Sequence, residues 1–579
     1  MPKVKREIYY LSIIFLIIFC IFQYGIRKIC GFTMYPDEFG YWSTAAKAVG
    51  YDWSEVASLG SYYSFGYSLV LIPILKLFHG GVSAYRAAIA VNMFFMLVGM
   101  LLLQDIMRRV FPNISEFKKI FVSGIAVLYP PWIFYMQMTL AEALLMLLFI
   151  FISWLLVCFI QKPRVLTAVI LAVTLIYIYS VHMRTIAVVI ACLITITLWG
   201  ISKPAIRKQF LLFLAVMLMA GIIVIFIKRN VILQVFSYAD AETLSINDYG
   251  SQWSKIRQIL SIQGMLELTV EVLAKLFYLG LASFGIVYWA LGWSIHETVL
   301  LIKKIAAKKS CYIQDWVALF LLLSVAGEIL ISSIYMHGSA KIDCLIYGRY
   351  NEFLVPVFII FGMAAMFRSR HLFSGVSLQG VLSGLLIPVL LVYIESKHME
   401  GIRGYFVPGI SSFMKEESFL PGRFLLRAWI GCFGIMVIVA VFITASKRIR
   451  GAAWMLSGIF VIEILMGIQI NSHYTYSVNK AIFPDLLIAE TIKGKADEED
   501  AVVYLDEGIP EFIDFQQMQL PEMSIKVAGE GEVEKIGEKG RFLIVCRDSK
   551  YQEMFRERYD KQVISPSFIL YYSEEKMPE

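Results

Sequence analysis

Charge is scarce in this chain. Of its 579 residues 17% are charged and 59% hydrophobic, whereas a soluble domain is nearer a quarter charged and half apolar. Histidine is rarer still: the seven are scattered without an HxxxH or similar pair, so no dedicated metal site is expected. The eight cysteines lack the paired spacing of a zinc site or a disulfide scaffold. Half of them fall inside apolar runs (Cys20, Cys158, Cys192, Cys432). Cys30 and Cys344 fall outside them, where a bridge can form but two unrelated thiols are the simpler reading. There is no glycine-rich phosphate loop. There is also no internal repeat, which removes the two-fold symmetry common among transporters.

Long apolar runs are what the chain does have. FLLFLAVMLMAGIIVIFI (210–227) approaches the roughly 20 residues that cross a bilayer, and the class is an α-helical polytopic membrane protein. A formal charge of +7 would suggest nucleic acid in a soluble chain. Here the basic residues cluster in short connectors between apolar runs, the footprint of the positive-inside rule, and no nucleic-acid partner is expected. The N-terminal run has no small-residue cleavage pattern after it and reads as an uncleaved first span.

With the basic clusters cytoplasmic, the chain threads as about thirteen spans: 9–27, 84–107, 119–136, 140–160, 165–182, 185–201, 209–227, 272–302, 313–334, 351–367, 373–394, 424–445 and 452–469. This puts the N-terminus in the cytoplasm and the C-terminus outside a plasma membrane. YSFGYSLVLIPILKLFHGG (63–81) holds Pro73 and Lys76 and has no basic flank, so it reads as an interfacial helix within an outer loop of about 29–83. Residues 1–470 form the membrane module. Residues 471–579 read as a small extracytoplasmic α/β domain, with strands expected at 501–505, 512–516, 524–528, 542–546 and 567–572 and helices near 480–494 and 549–560. GEGEVEKIGEKG (529–540) reads as a charged turn.

The sides differ in chemistry. The cytoplasmic connectors are short and basic, and none carries an Asp-x-Asp motif or could house a nucleotide-sugar domain. The outer side carries YPDEFGYW (35–42), with adjacent Asp37 and Glu38, then Glu142 at the head of a span and Arg184 in HMR. It also holds Lys228, Arg229 and the loop HGSAKIDCLIYGRYNEF (337–353), with Lys341, Asp343, Arg349 and Tyr350. An acid near a bilayer is costly and marks function, but adjacent acids in a wet loop also read as a solvated turn. Glu142 is an interfacial acid or a site residue. Arg184 either snorkels or holds phosphate. Lys228 and Arg229 read as ending a span. Arg349, flanked by Tyr347 and Tyr350, has the planar, permanently charged fork that a phosphate at headgroup depth requires.

These residues together resemble the GT-C polyprenyl-phosphate-dependent glycosyltransferases, of the protein O-mannosyltransferase and lipid A aminoarabinose transferase type. The likeness rests on PDE in the first outer loop, the interfacial run after it, Arg86 in AYRAAIAVN, the acid Glu142 and the late YGRY (347–350), and it covers about residues 1–470. It implies a sugar donor carried on polyprenyl phosphate, a glycan, lipid or protein acceptor outside the membrane, and no cofactor. It maps the catalytic acid onto Asp37, with Glu38 orienting the loop or binding sugar, and donor or substrate contacts onto Arg349, Tyr350, Arg184, Glu142 and Arg86. A phosphate monoester leaves without a proton, so one carboxylate to deprotonate the acceptor and cations for the phosphate suffice, with inversion at the anomeric carbon. One departure is the stretch SYYSFGYS, where the aminoarabinose transferase has Lys-Pro. The competing readings are a polyprenol-sugar flippase or other transporter, and a non-catalytic lipid-binding scaffold.

Overall fold

The structure is a computed structural model that describes residues 3–574 apart from 204–205, 241–243, 245–251, 416–418, 449–451, 498–499, 509–512 and 537–539. Parts of the basic connectors SKPAIRKQ and SKRIR, of the 529–540 turn and of the 512–516 run therefore lie outside the described residues.

The apolar runs form a helical bundle. Among the described residues nine helices are long and apolar enough to cross a membrane, including Gly81–Val110, Ala141–Gln161 and Ile313–Met336. Four expected spans take other forms. Val165–Val181 and Val355–Arg368 are helices of 17 and 14 residues. The expected span 119–136 splits into Glu116–Val127 and Pro130–Tyr135, because the Pro130-Pro131 pair denies the residue before it a helical backbone.

The expected single span 272–302 is corrected to two helices, Ile262–Ala282 and Ile286–Ala306, which meet at 118°. At the break Phe284 and Gly285 both adopt positive φ, 51° and 76°, a conformation glycine takes without steric cost. The sequence at this break is only S-F-G, without a proline to flag it.

The bundle has two chemically distinct ends. Arg108 pairs with Glu116 and Glu7, Lys304 with Asp315, and Arg368 lies over Phe111. The basic connectors thus gather at one end. The Gly81–Val110 helix runs from there through its 30 residues, about 45 Å at 1.5 Å per residue. At its far end Tyr85 bonds Glu38 and the Arg86 Nε donates to the Ile29 carbonyl at 2.8 Å. The expected interfacial run contains the 11-residue helix Ser68–Phe78 at this same end.

The C-terminal sheet domain packs here as well. Its five strands β1 (Val502–Asp506), β2 (Ile525–Gly529), β3 (Phe542–Cys546), β4 (Lys561–Ile564) and β5 (Phe568–Tyr572) run in the order β2-β1-β3-β5-β4. The β2-β1-β3 part is parallel; β5 and β4 add antiparallel. The helical run before the sheet continues to Lys495, well past residue 470. The strand expected at 512–516 is instead part of a helix, Ile513–Gln519: residues 515–519 are all buried, a continuous pattern that periodicity alone does not assign to strand or helix. β4 went unseen because KQVI is a largely exposed edge strand with little apolar signal. Trp53 donates to the Pro521 carbonyl at 2.9 Å, and Glu55 accepts from Lys526 Nζ and the Val527 amide. All eight cysteines are free, Cys30 and Cys344 included.

Candidate active site

Asp37 and Glu38 open the helix Asp37–Val49. The outer loop expected here thus contains a helix start, where the unpaired amides favour an anion. Successive side chains diverge by the turn of the helix. Glu38 points inward. Its Oε1 accepts from the Thr33 amide and hydroxyl at 2.8 and 2.5 Å. Its Oε2 accepts from the Tyr85 hydroxyl at 2.5 Å and from the Thr139 amide and hydroxyl, both at 2.7 Å. Burial pushes the carboxyl above its ordinary range, and the Thr33, Tyr85 and Thr139 bonds oppose the rise. Glu38 thereby ties the first loop, the Gly81–Val110 helix and the 136–140 turn together, which rules out the solvated-turn reading for this residue.

Asp37 faces the other way, into a cavity of about 200 Å³ shared with Tyr41, His182, Arg349 and Tyr350. Its Oδ2 is ion-paired with Arg349 Nη2. Arg349 Nε donates to Glu142 Oε1 at 2.7 Å, and Arg184 Nη2 reaches the same oxygen at 3.3 Å. Two carboxylates and two guanidiniums therefore form one neutral chain, Asp37–Arg349–Glu142–Arg184. Burial grades along it: the Asp37 side chain is 15% exposed, Glu142 1% and Arg184 0%. Arg184 does not snorkel. It lies 4.4 Å from the centroid of the Tyr350 ring, and Arg349 lies 4.7 Å from that of Tyr35, each an arrangement that favours a cation.

Backbone contacts set this geometry. The Gly348 and Arg349 amides both donate to the Phe406 carbonyl, at 3.1 and 3.3 Å. Asp343 receives the amide and guanidinium of Arg403, which straps the 337–350 loop to the 400–407 segment. Gly66 donates to the Ser180 carbonyl at 2.7 Å, and a Cβ there would meet the Val181 nitrogen at 2.4 Å. Only glycine lets the tyrosine-rich 62–67 segment close against the end of the Val165–Val181 helix.

Of the residues singled out from sequence, Asp37, Arg349 and Tyr350 line the cavity, while Glu142 and Arg184 brace Arg349 from behind. Glu38 holds the loop. Arg86 is not brought into the cluster; it fastens Ile29. Lys228 stands beside the cavity wall, 3.5 Å from Met183 Sδ and 5.5 Å from the Tyr62 ring centroid. Sequence reasoning missed Glu352, which accepts from Tyr135 at 2.7 Å and from Tyr278, although it lies within the quoted YGRYNEF. It also missed Thr33, Tyr85 and Thr139, which carry no local signal. Among the described residues no three His, Cys, Asp or Glu side chains converge as a metal site.

Neither a protein-family model nor any curated protein matches the sequence. The fold is similar to that of ArnT from Cupriavidus metallidurans, in the apo state (TM-score 0.53) and bound to undecaprenyl phosphate (TM-score 0.54). Each match is 13% identical and covers 97% of this chain and 97% of the other. The archaeal oligosaccharyltransferase AglB from Archaeoglobus fulgidus, in complex with an inhibitory peptide and a dolichol-phosphate, aligns at TM-score 0.47 and 11% identity, over 96% of this chain and 71% of its own. At such identities the likeness is one of fold: the chain has an ArnT-like GT-C architecture.

Proposed function

We propose that this chain is an integral membrane glycosyltransferase that moves one sugar from a polyprenyl-phosphate carrier to an acceptor hydroxyl, with inversion. The observation that carries the reading is the partly exposed Asp37 carboxylate facing a cavity beside Arg349, in a fold whose solved relative ArnT holds undecaprenyl phosphate. The acceptor hydroxyl attacks the anomeric carbon and gives its proton to Asp37. The bond from that carbon to the phosphate oxygen breaks, and its electron pair leaves with the polyprenyl phosphate. Arg349 is the cation placed to hold that phosphate, with Lys228 at the cavity wall as a second.

The ion pair adds an order to these events. With Asp37 engaged by Arg349, its Oδ2 is occupied; a donor phosphate competing for the guanidinium frees the base. Glu142 and Arg184 keep Arg349 from following the phosphate. The site end of the bundle and the sheet domain face the extracytoplasmic side in this reading, away from the basic connectors.

Asp37→Asn keeps the side chain's shape and removes its basicity. Turnover is expected to fall by roughly 10²–10⁴, the usual worth of a positioned base, while donor binding persists. Sugar transfer and donor binding measured separately, on protein in lipid nanodiscs, check this; an Asp37→Asn variant that transfers sugar normally overturns the assignment.

A further inference from the structure

A second and larger cavity, of about 460 Å³, adjoins the first. Tyr63 lines both, and the backbone step from Pro36 to Asp37 passes between them, Pro36 on one wall and Asp37 on the other. One side of this cavity comes from the first loop, including Pro36, Phe39 and Tyr63. The other comes from the sheet domain: Tyr504 and Asp506 of β1, and Asp514 in the first turn of Ile513–Gln519.

Its chemistry differs from that of its neighbour, where Asp37 is matched by Arg349. The described residues that line it include two carboxylates and no lysine, arginine or histidine. Asp506 and Asp514 are both partly exposed and line the space, each with Oδ1 accepting a backbone amide, Gly508 for Asp506 and Phe515 for Asp514. Asp506 also ends β1, and β1 lies between β2 and β3. The chain steps from β1 to one side and then crosses to the other, so the strand order reverses here. In open parallel sheets ligands bind outside the carboxyl ends of strands at such a switch point.

We propose that this cavity seats the sugar end of the acceptor, one bearing hydroxyl or amino groups and no phosphate. Asp506 and Asp514 accept its hydrogen bonds, and Tyr504, Phe39 and Tyr63 give its ring apolar faces. The reactive hydroxyl extends past Pro36 to Asp37. A space lined by carboxyl groups and no cation disfavours a phosphorylated sugar and accepts a neutral or cationic one. The proposal rests on the transferase reading for its catalytic consequence, but the binding it describes stands apart from turnover.

The test uses the full chain in nanodiscs and three probes: glucosamine trisaccharide, tri-N-acetylglucosamine and glucose 6-phosphate, with binding read by saturation-transfer NMR and calorimetry. The two phosphate-free sugars are expected to bind and the sugar phosphate to bind at least about tenfold more weakly. Asp506→Asn with Asp514→Asn should weaken glucosamine trisaccharide by about tenfold, the scale of a lost charged hydrogen bond, and leave polyprenyl phosphate binding unchanged. Gly60→Trp provides an arm independent of charge. Gly60 lines the cavity, and a Cβ there meets only the Ala57 carbonyl, at 3.6 Å; an indole at this position is expected to occlude the space and abolish sugar binding.

Wild-type protein that binds neither phosphate-free sugar, variants that bind like wild type, or a preference for the sugar phosphate would each overturn the proposal. Asp37→Asn separates the two readings. If it still transfers sugar while the cavity variants lose sugar binding, the catalytic assignment fails and the acceptor cavity stands.

Discussion

Arg349 makes the demands of the site concrete at the scale of one residue. It contacts Asp37 through one nitrogen and Glu142 through another, with Tyr35 beneath its plane. A lysine offers one compact charge and cannot make both contacts in that geometry. Arg349→Lys is therefore expected to lower donor affinity by about 1–3 kcal/mol and also to slow turnover, because the departing phosphate loses the planar fork that holds it. Titration with polyprenyl phosphate checks the first effect and single-turnover transfer the second; unchanged donor affinity would reduce Arg349 to an interfacial anchor. Glu38→Gln tests the neighbouring acid. An amide nitrogen in place of one oxygen must face donors, either the Thr33 pair or Tyr85 with Thr139, so stability should drop by about 1–3 kcal/mol. A thermal shift with donor affinity retained would separate this loop-holding role from one in binding.

Among the elements, those with a strong local signature were legible in the sequence. Apolar runs bounded by basic clusters announced the helices, and alternation or continuous apolar runs announced four of the five strands. The breaks were harder to see, since the turn at Ser283–Gly285 rests on two positive φ values that tertiary packing selects. The candidate site was legible where chemistry-bearing residues stand out alone, as Asp37, Glu142 and Arg349 do, which the fold brings together. It was opaque where a donor's worth depends on a distant acceptor, as with Thr139 for Glu38. The Ile513–Gln519 helix carries its own pH signature. Burial pushes the Asp514 carboxyl up to about 7, and the charge of Glu38 adds to the rise. Unfolded, the same group titrates near ~4, so between those values the folded chain binds the extra proton. Stability from this group is thus lost as pH rises toward 7 and is level above it. The melting temperature of Asp514→Asn should gain on wild type from pH 5 to pH 7; parallel curves would show that the carboxyl is solvated.

For the whole molecule, the Glu55–Lys526 and Trp53–Pro521 contacts put the first loop and the sheet domain on one end of the bundle, opposite the connector that holds Lys304 and Asp315. Single cysteines at Lys47 and Lys535, both exposed, in a background without native thiols, should react with an impermeant reagent applied outside intact cells. A cysteine at Lys309 in the opposite connector should not; the reverse pattern would invert the proposed orientation. One tie at this end has a consequence in time. The Asn479 side chain accepts the amides of Cys30 and Gly31, 449 positions earlier in the chain, and Arg349 follows Asp37 by 312. At cellular synthesis rates the wait between Cys30 and Asn479 is roughly 20–90 s. Until it ends, the first loop has its ties through Glu38 and Arg86 but lacks the one to Asn479. A chain interrupted before residue 349 carries Asp37 without its ion-pair partner, and one interrupted before residue 479 lacks the tie at Cys30 and Gly31.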